Sequence, residues 1–280
     1  MSAKELSRRQ VLGLGSVGAA VGMGLVAGFG AAGPDESRQA KPASAEEPAQ
    51  SPGAESVATD PWLYVKLESA AVARDAYRLM SQGGGCMYAL FGSILGAMSQ
   101  QVGEPYASFP LHMMKYGEGG VALWGSLCGT LNGGAAAIGL FVPDKPQREQ
   151  LIAQLFAWYE STELPTYQPD ELSEATAIPK SVADSVLCHV SVGKWCHAAE
   201  KKVGDPEMKE RCRRLTADVA AKTVELLNET IQESGTLSGP PPAANNCLSC
   251  HGFSDRRDTL GQMRCGSCHQ QLPDGHPADE

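Results

Sequence analysis

Near the C-terminal end of the 280-residue chain, cysteine and histidine fall twice into the same five-residue arrangement, Cys247-Leu-Ser-Cys250-His251 and Cys265-Gly-Ser-Cys268-His269. Each supplies two thiols spaced for thioether bonds to the vinyl groups of a haem, and an adjacent imidazole for its iron. The pair therefore implies two haem c groups per chain, attached through Cys247, Cys250, Cys265 and Cys268, with His251 and His269 as proximal iron ligands. A zinc ribbon is the competing chemistry, because the same cysteines form two Cys-x-x-Cys pairs with fourteen residues between them. With only 6 histidines in the chain, histidine at both following positions would arise by chance roughly once in 2000 cases. That favours haem over zinc or a rubredoxin-like iron.

Five cysteines remain: Cys86, Cys128, Cys188, Cys196 and Cys212. Four of the five would satisfy an iron–sulfur cluster, either 2Fe-2S or 4Fe-4S. Buried thiols and disulfides are the alternatives, and the odd count works against complete disulfide pairing. Cys86 and Cys128 stand in the tight settings Gly83-Gly84-Gly85-Cys86 and Leu127-Cys128-Gly129, which let backbone approach a cofactor closely. Cys196 and Cys212 each lie eight residues from Gly204 and fall opposite each other in an antiparallel hairpin. Cys188 and Cys196 would be about 12 Å apart along a continuous helix. Both can serve one small site only if that helix breaks, with Gly193 the best place. The distal haem positions have four candidate imidazoles, His112, His189, His197 and His276. His112, in the loop-like Phe109-Pro110-Leu111-His112, is favoured first.

The elements that must position these groups read as helices. Apolar spacing predicts helical segments over Pro61–Gln82, Cys86–Val102 and the Gly/Ala-rich Val121–Val142. Lys145–Thr162 is amphipathic, with Pro146 suited to its first turn. Ser181–Lys202 and Pro206–Glu233 form a pair around Gly204-Asp205-Pro206. Trp124, Trp158 and Trp195 read as core aromatics. The basic run Lys209, Arg211, Arg213 and Arg214 reads as a solvated helix face. The predicted fold class is all-α: a helical domain over 61–238 with the candidate iron–sulfur site, then a small, irregular dihaem c-binding segment over 239–280 that follows the Gly239-Pro240-Pro241-Pro242 boundary.

The other end predicts an address. Ser7-Arg8-Arg9-Gln10-Val11-Leu12, followed by a Gly/Ala-rich run to Ala32, reads as a twin-arginine export signal over 1–32, with cleavage as late as Ala45. Its many glycines make it a poor transmembrane anchor, so no stable membrane anchor is expected. Residues 33–60, rich in Ala, Pro, Ser and Glu, read as a disordered linker. The net charge of -9 argues against a nucleic-acid partner, since phosphate backbones call for a cationic surface.

A family resemblance rests on particular residues. Gly85-Cys86-Met87-Tyr88-Ala89-Leu90-Phe91-Gly92 and Trp124-Gly125-Ser126-Leu127-Cys128-Gly129 resemble the bacterial C-GCA-G-C-C redox proteins. Leu187-Cys188-His189-Val190-Ser191-Val192, Trp195-Cys196 and Arg211-Cys212 extend the likeness. The chain departs from that pattern at Gly83, where the family has a cysteine, and at Met87, where it has alanine. With the two C-terminal pentapeptides and the twin-arginine segment added, the chain resembles the split-Soret cytochromes c of sulfate-reducing bacteria. The resemblance implies a dimeric, periplasmic electron carrier with two stacked bis-histidine haems per subunit, an iron–sulfur cluster and an external redox partner protein.

Electron transfer is accordingly the leading reading, with no catalytic residues assigned. A haem-dependent reductase of a small oxyanion or peroxide is the alternative, and whether the chain is an enzyme with its own substrate stays open. A redox sensor is third. No phosphate loop or dinucleotide fingerprint occurs.

Overall fold

The computed structural model describes residues 62–170, 177–232, 247–252, 259 and 261–269. The signal and linker expected over 1–60 lie outside them, as does His276. All described residues belong to one unit, Ser56–Glu280.

Residues 62–68 run extended before the first helix because their polar groups are claimed elsewhere. The Asn228 side chain accepts from Leu67 N–H at 3.1 Å and from the Tyr64 hydroxyl at 3.0 Å, and donates to Leu67 C=O at 2.9 Å. Helix α1, Ser69–Ser81, then starts under the Glu68 carboxylate, which accepts from the N–H groups of Ala70 and Ala71. This start is later than the predicted Pro61. Helix α2, Cys86–Val102, has the predicted bounds, and helix α3, Gly129–Phe141, occupies the second half of the Gly/Ala-rich segment. Helix α4, Lys145–Ser161, is capped by Asp144, whose side chain accepts from Gln147 N–H at 2.9 Å, with proline in its first turn. A two-residue antiparallel pair follows, β1 (Glu163–Leu164) against β2 (Ser181–Val182), so the next helix, α5, begins only at Cys188 and ends at Ala198. Helix α6, Pro206–Gln232, is about 40 Å long and packs against α1, α2, α3 and α4. The described residues are thus mainly helical, as predicted, with the β1–β2 pair unforeseen.

The core is built around that long helix. Leu90, Leu131, Ile138, Leu151, Leu155, Val219, Val224 and Leu227 are fully buried. Small residues let α3 wedge into the middle. A Cβ on Gly133 would stand 3.0 Å from the Met87 carbonyl of α2, and one on Gly134 would stand 2.7 Å from Leu155 of α4 and 2.8 Å from Thr223 of α6.

Two basic residues contradict the solvated-face reading of Lys209–Arg214. Arg211 and Arg214 are buried, because they fall one turn apart on the side of α6 that faces the core. Arg214 Nε is paired with Glu210 at 2.8 Å, and Glu210 also accepts from the Tyr77 hydroxyl at 2.9 Å. At the C-terminal side, helix α7 spans Cys247–His251 and a 3-10 turn spans Cys265–Ser267. Arg264 Nη1 lies 3.2 Å from Asp184 Oδ1, tying the second pentapeptide to the loop that leads into α5. Among the described residues no helix is long and apolar enough to cross a membrane.

Gly134→Ala is expected to lower stability by about 1–3 kcal/mol, since the new methyl must displace Leu155 or Thr223. A denaturant midpoint measured beside the parent chain checks this.

Candidate metal centre

Three helices begin at cysteines and converge. Cys86 opens α2 behind Gly85, whose φ of +77° suits glycine, and a Cβ there would meet Glu118 at 3.3 Å. Cys128 is the N-cap of α3, and Cys188 is the first residue of α5. The last two are fixed side by side by a single antiparallel bridge between Leu127 and Leu187. Cys128 N–H donates to Val186 C=O at 2.9 Å, Cys188 N–H to Ser126 C=O at 2.7 Å, and His189 N–H to Gly125 C=O at 3.0 Å. Cys86 is brought in by an absent side chain: a Cβ on Gly129 would overlap the Gly117 carbonyl oxygen and stand 2.9 Å from Cys86 Cβ.

Cys212 of α6 completes the group. Cys86 lies within electrostatic reach of Cys212 and Cys128, and Cys188 within reach of Cys128, Cys86 and Cys212. The interaction is strongest between Cys188 and Cys128, each of which is the largest influence on the other's proton affinity. As placed, no three Cys, His, Asp or Glu side chains among the described residues close round a metal ion. The four sulfurs converge without forming a shell.

Cys196 stands apart from Cys86, Cys128 and Cys188. Helix α5 is continuous from Cys188 to Ala198, without the break at Gly193 that a shared site would need, so the two thiols sit at opposite ends. Burial, Arg211 and Asp205 dominate the surroundings of Cys196, which Cys212 feels only weakly.

Proton affinities follow from the geometry. The Cys188 hydrogen bond, assisted by Thr130 and Tyr159, holds the Cys128 thiol down at about 5 against the opposing effect of burial. Thr130 Oγ1 lies 3.3 Å from its sulfur. Cys188 is pushed far up by the same bond and by burial, so the pair shares one proton. Burial and the neighbouring thiols raise Cys86, while a backbone N–H from Gly119 works the other way. The positive ends of α2, α3 and α5 favour negative charge at these sulfurs. Four thiols in such a setting fit a soft, thiolate-liking metal such as iron.

Residues that the sequence reading did not assign to the site line its back. Tyr159 of α4 lies within electrostatic reach of the Cys128 sulfur, and its hydroxyl lies 2.7 Å from Ser191 Oγ. Ser191 also accepts from Arg211 Nη2 at 2.7 Å. The signal for Tyr159 was only its place on the apolar stripe of α4, which is equally the signal of an ordinary core residue. The candidate distal histidines are dispersed: His112 on a 3-10 turn, Leu111–Gly117, and His189 and His197 on α5, all three exposed. Of the terminal ligands, His251 is half-buried and His269 exposed. Trp195 is buried as expected, with Nε1 donating to Pro179 C=O at 2.7 Å. Trp124 is instead 86% exposed, because left-handed backbone at Ala122 and Leu123 turns it outward beside the site.

The family described as "Putative redox-active protein (C_GCAxxG_C_C)" matches residues 77–226, and the chain belongs to it. It is also 37% identical over 209 residues to the split-Soret cytochrome c of Desulfovibrio desulfuricans (strain ATCC 27774 / DSM 6949 / MB), covering 72% of this chain and 74% of the relative. A solved structure of the split-Soret cytochrome c from Desulfovibrio desulfuricans ATCC 27774, which presents a novel iron centre, superposes with a TM-score of 0.68 at 35% identity, covering 74% of this chain and 90% of the other. That finding corrects the expected cofactors. It supports iron, but neither two haem c groups per chain nor an iron–sulfur cluster.

Gly129→Ala is expected to cost about 1–3 kcal/mol by overpacking, outweighing the gain in helix propensity, and to spread the thiols. Thermal melting and the metal content of the purified variant check both effects. In the metal-free protein, ultraviolet thiolate absorbance is expected to show a single thiolate titrating near pH 5, lost in Cys128→Ser. Because the folded value of Cys128 lies below that of the unfolded thiol, its stabilisation is lost as pH falls toward about 5. Cys188 has the opposite sign: its stabilisation is lost as pH rises past the ordinary thiol range, so stability peaks between the two.

Proposed function

We propose that this redox-active metalloprotein is an electron carrier of the cytochrome c kind, with iron held by Cys86, Cys128, Cys188 and Cys212. The observation that carries the assignment is the convergence of those four thiols, three of them at helix N-termini, in a chain related to a protein with an iron centre. Bound iron would supply one-electron chemistry. The chain would supply thiolate donors, burial and positive helix ends that set how readily the electron is taken. Cys196 would be a buried structural thiol.

A role for the C-terminal pentapeptides beside the iron site is supported by the Arg264–Asp184 contact, which holds the residue before the second pentapeptide against the loop before Cys188. Export to the periplasm by the twin-arginine route is supported by Ser7-Arg8-Arg9. A homodimer that exchanges electrons with a redox partner protein is supported by large apolar residues left exposed near the site, Leu123 and Trp124.

The test is iron per chain and iron spectroscopy on natively expressed protein and on single serine variants. Cys86→Ser and Cys188→Ser are expected to lose the thiol-held iron, with its spectroscopic signature, while Cys196→Ser keeps it. Full retention in Cys86→Ser and Cys188→Ser would refute the assignment.

A further inference from the structure

Arg211 is a cation in an unusual place. It is 1% exposed, on α6 immediately before Cys212. Its Nη2 donates to Ser191 Oγ at 2.7 Å, its Nη1 is turned to the Cys212 sulfur at 4.0 Å, and its Nε has no partner in the structure. Ser191 in turn meets the Tyr159 hydroxyl at 2.7 Å, and Tyr159 lies within electrostatic reach of Cys128. One chain of contacts, Cys128, Tyr159, Ser191, Arg211, Cys212, therefore runs behind the site from one candidate ligand to another.

A buried guanidinium carries a large desolvation penalty and persists only when an anion offsets it. The carboxylate next to it in sequence, Glu210, is engaged by Arg213, Arg214 and Tyr77. The groups whose charge Arg211 chiefly feels are Tyr159, Cys212 and Cys128, and it acts on Cys196 as well. Apart from the phenol, which burial keeps protonated, these are sulfurs. The compensating anion is thus the thiolate group itself. The dependence is mutual, since several thiolates gathered away from water require a fixed positive charge.

We propose that Arg211 is the counter-charge of the four-thiol iron centre and raises its reduction potential. This rests on the reading that iron occupies those thiols. Reduction of iron held by those thiols from Fe(III) to Fe(II), by one electron from an external one-electron donor, would form and break no bond and would add one negative charge to the site that Arg211 faces. A fixed cation in a low-dielectric surround favours that added charge. Through Ser191 and Tyr159 the same guanidinium also positions the backing of Cys128, so Arg211 acts on the centre through its ligands.

The experiment uses the full chain purified with its native metal, as the parent protein and as Arg211→Gln, Arg211→Lys and Cys86→Ser. An electrode-based redox titration gives the potential of the thiol-held iron, and a chelator gives its release rate. Arg211→Gln is expected to lower the potential and to speed iron release by about tenfold, the usual scale for losing a group that supports a metal ligand. Arg211→Lys, which keeps the charge without the planar fork, is expected to restore the potential. An unchanged potential in Arg211→Gln, or a Lys variant as low as the Gln variant, would overturn the proposal. If Arg211→Gln holds no iron, Arg211→Lys decides: iron retained near the parent potential supports the counter-charge role, and iron lost or a fallen potential defeats it. Cys86→Ser separates the two readings. Unchanged iron in that variant sinks the site assignment itself, whereas iron lost there with Arg211→Gln at the parent potential sinks the counter-charge alone.

Discussion

The short antiparallel bridge between Leu127 and Leu187 is the contact on which the candidate site turns, since it joins two segments sixty residues apart in the chain and aligns the starts of α3 and α5. Cys128 and Cys188 then meet thiol to thiol at two positive helix ends. Everything else brings further sulfur toward that pair. Gly129 admits Cys86 by having no side chain, and α6, packed along α1 to α4, delivers Cys212. One isolated bridge would be weak by itself. It is supported by the β1–β2 pair upstream of Cys188, and by Asp184 N–H donating to Glu160 C=O at 3.0 Å.

Such a site concentrates two costs, buried thiolates and a buried guanidinium, in one place. Each offsets the other, and the fold spends polar side chains to keep them aligned. Tyr159 and Ser191 come from α4 and α5, elements that otherwise contribute mainly apolar burial. Polar groups so placed mark a functional pocket, because an apolar core of equal volume would be easier to stabilise. The family assignment and the iron centre of the solved relative agree with that reading from an independent direction.

The surface carries the complementary feature. The loop over 118–125 is tightly hydrogen-bonded, with Leu123 N–H donating to Glu118 C=O and Gly125 N–H to Gly119 C=O, yet it holds Leu123 and Trp124 out toward solvent. Left-handed backbone at Ala122 and Leu123 is an unfavourable conformation for residues with a Cβ. The loop that walls the thiol site therefore also exposes the largest apolar side chains near it.

Much was legible in local pattern. Residue types and spacing by themselves determined that the fold is helical, that α2 runs from Cys86 to Val102, that α6 is long, and that five core cysteines include more than one site can use. They also carried the family resemblance. Which four of the five thiols converge was decided only by tertiary structure, because the answer depended on whether α5 breaks at Gly193 and on how α3 and α6 pack, neither of which is periodic along the chain. The same is true of Arg211. Its neighbours in sequence are charged, so it reads as surface, and only the packing of α6 against α4 and α5 turns that residue inward beside the sulfurs. Hydrophobic periodicity reports which face of a helix is buried on average; it does not report the one cation that the buried face retains for a charge arriving from another element.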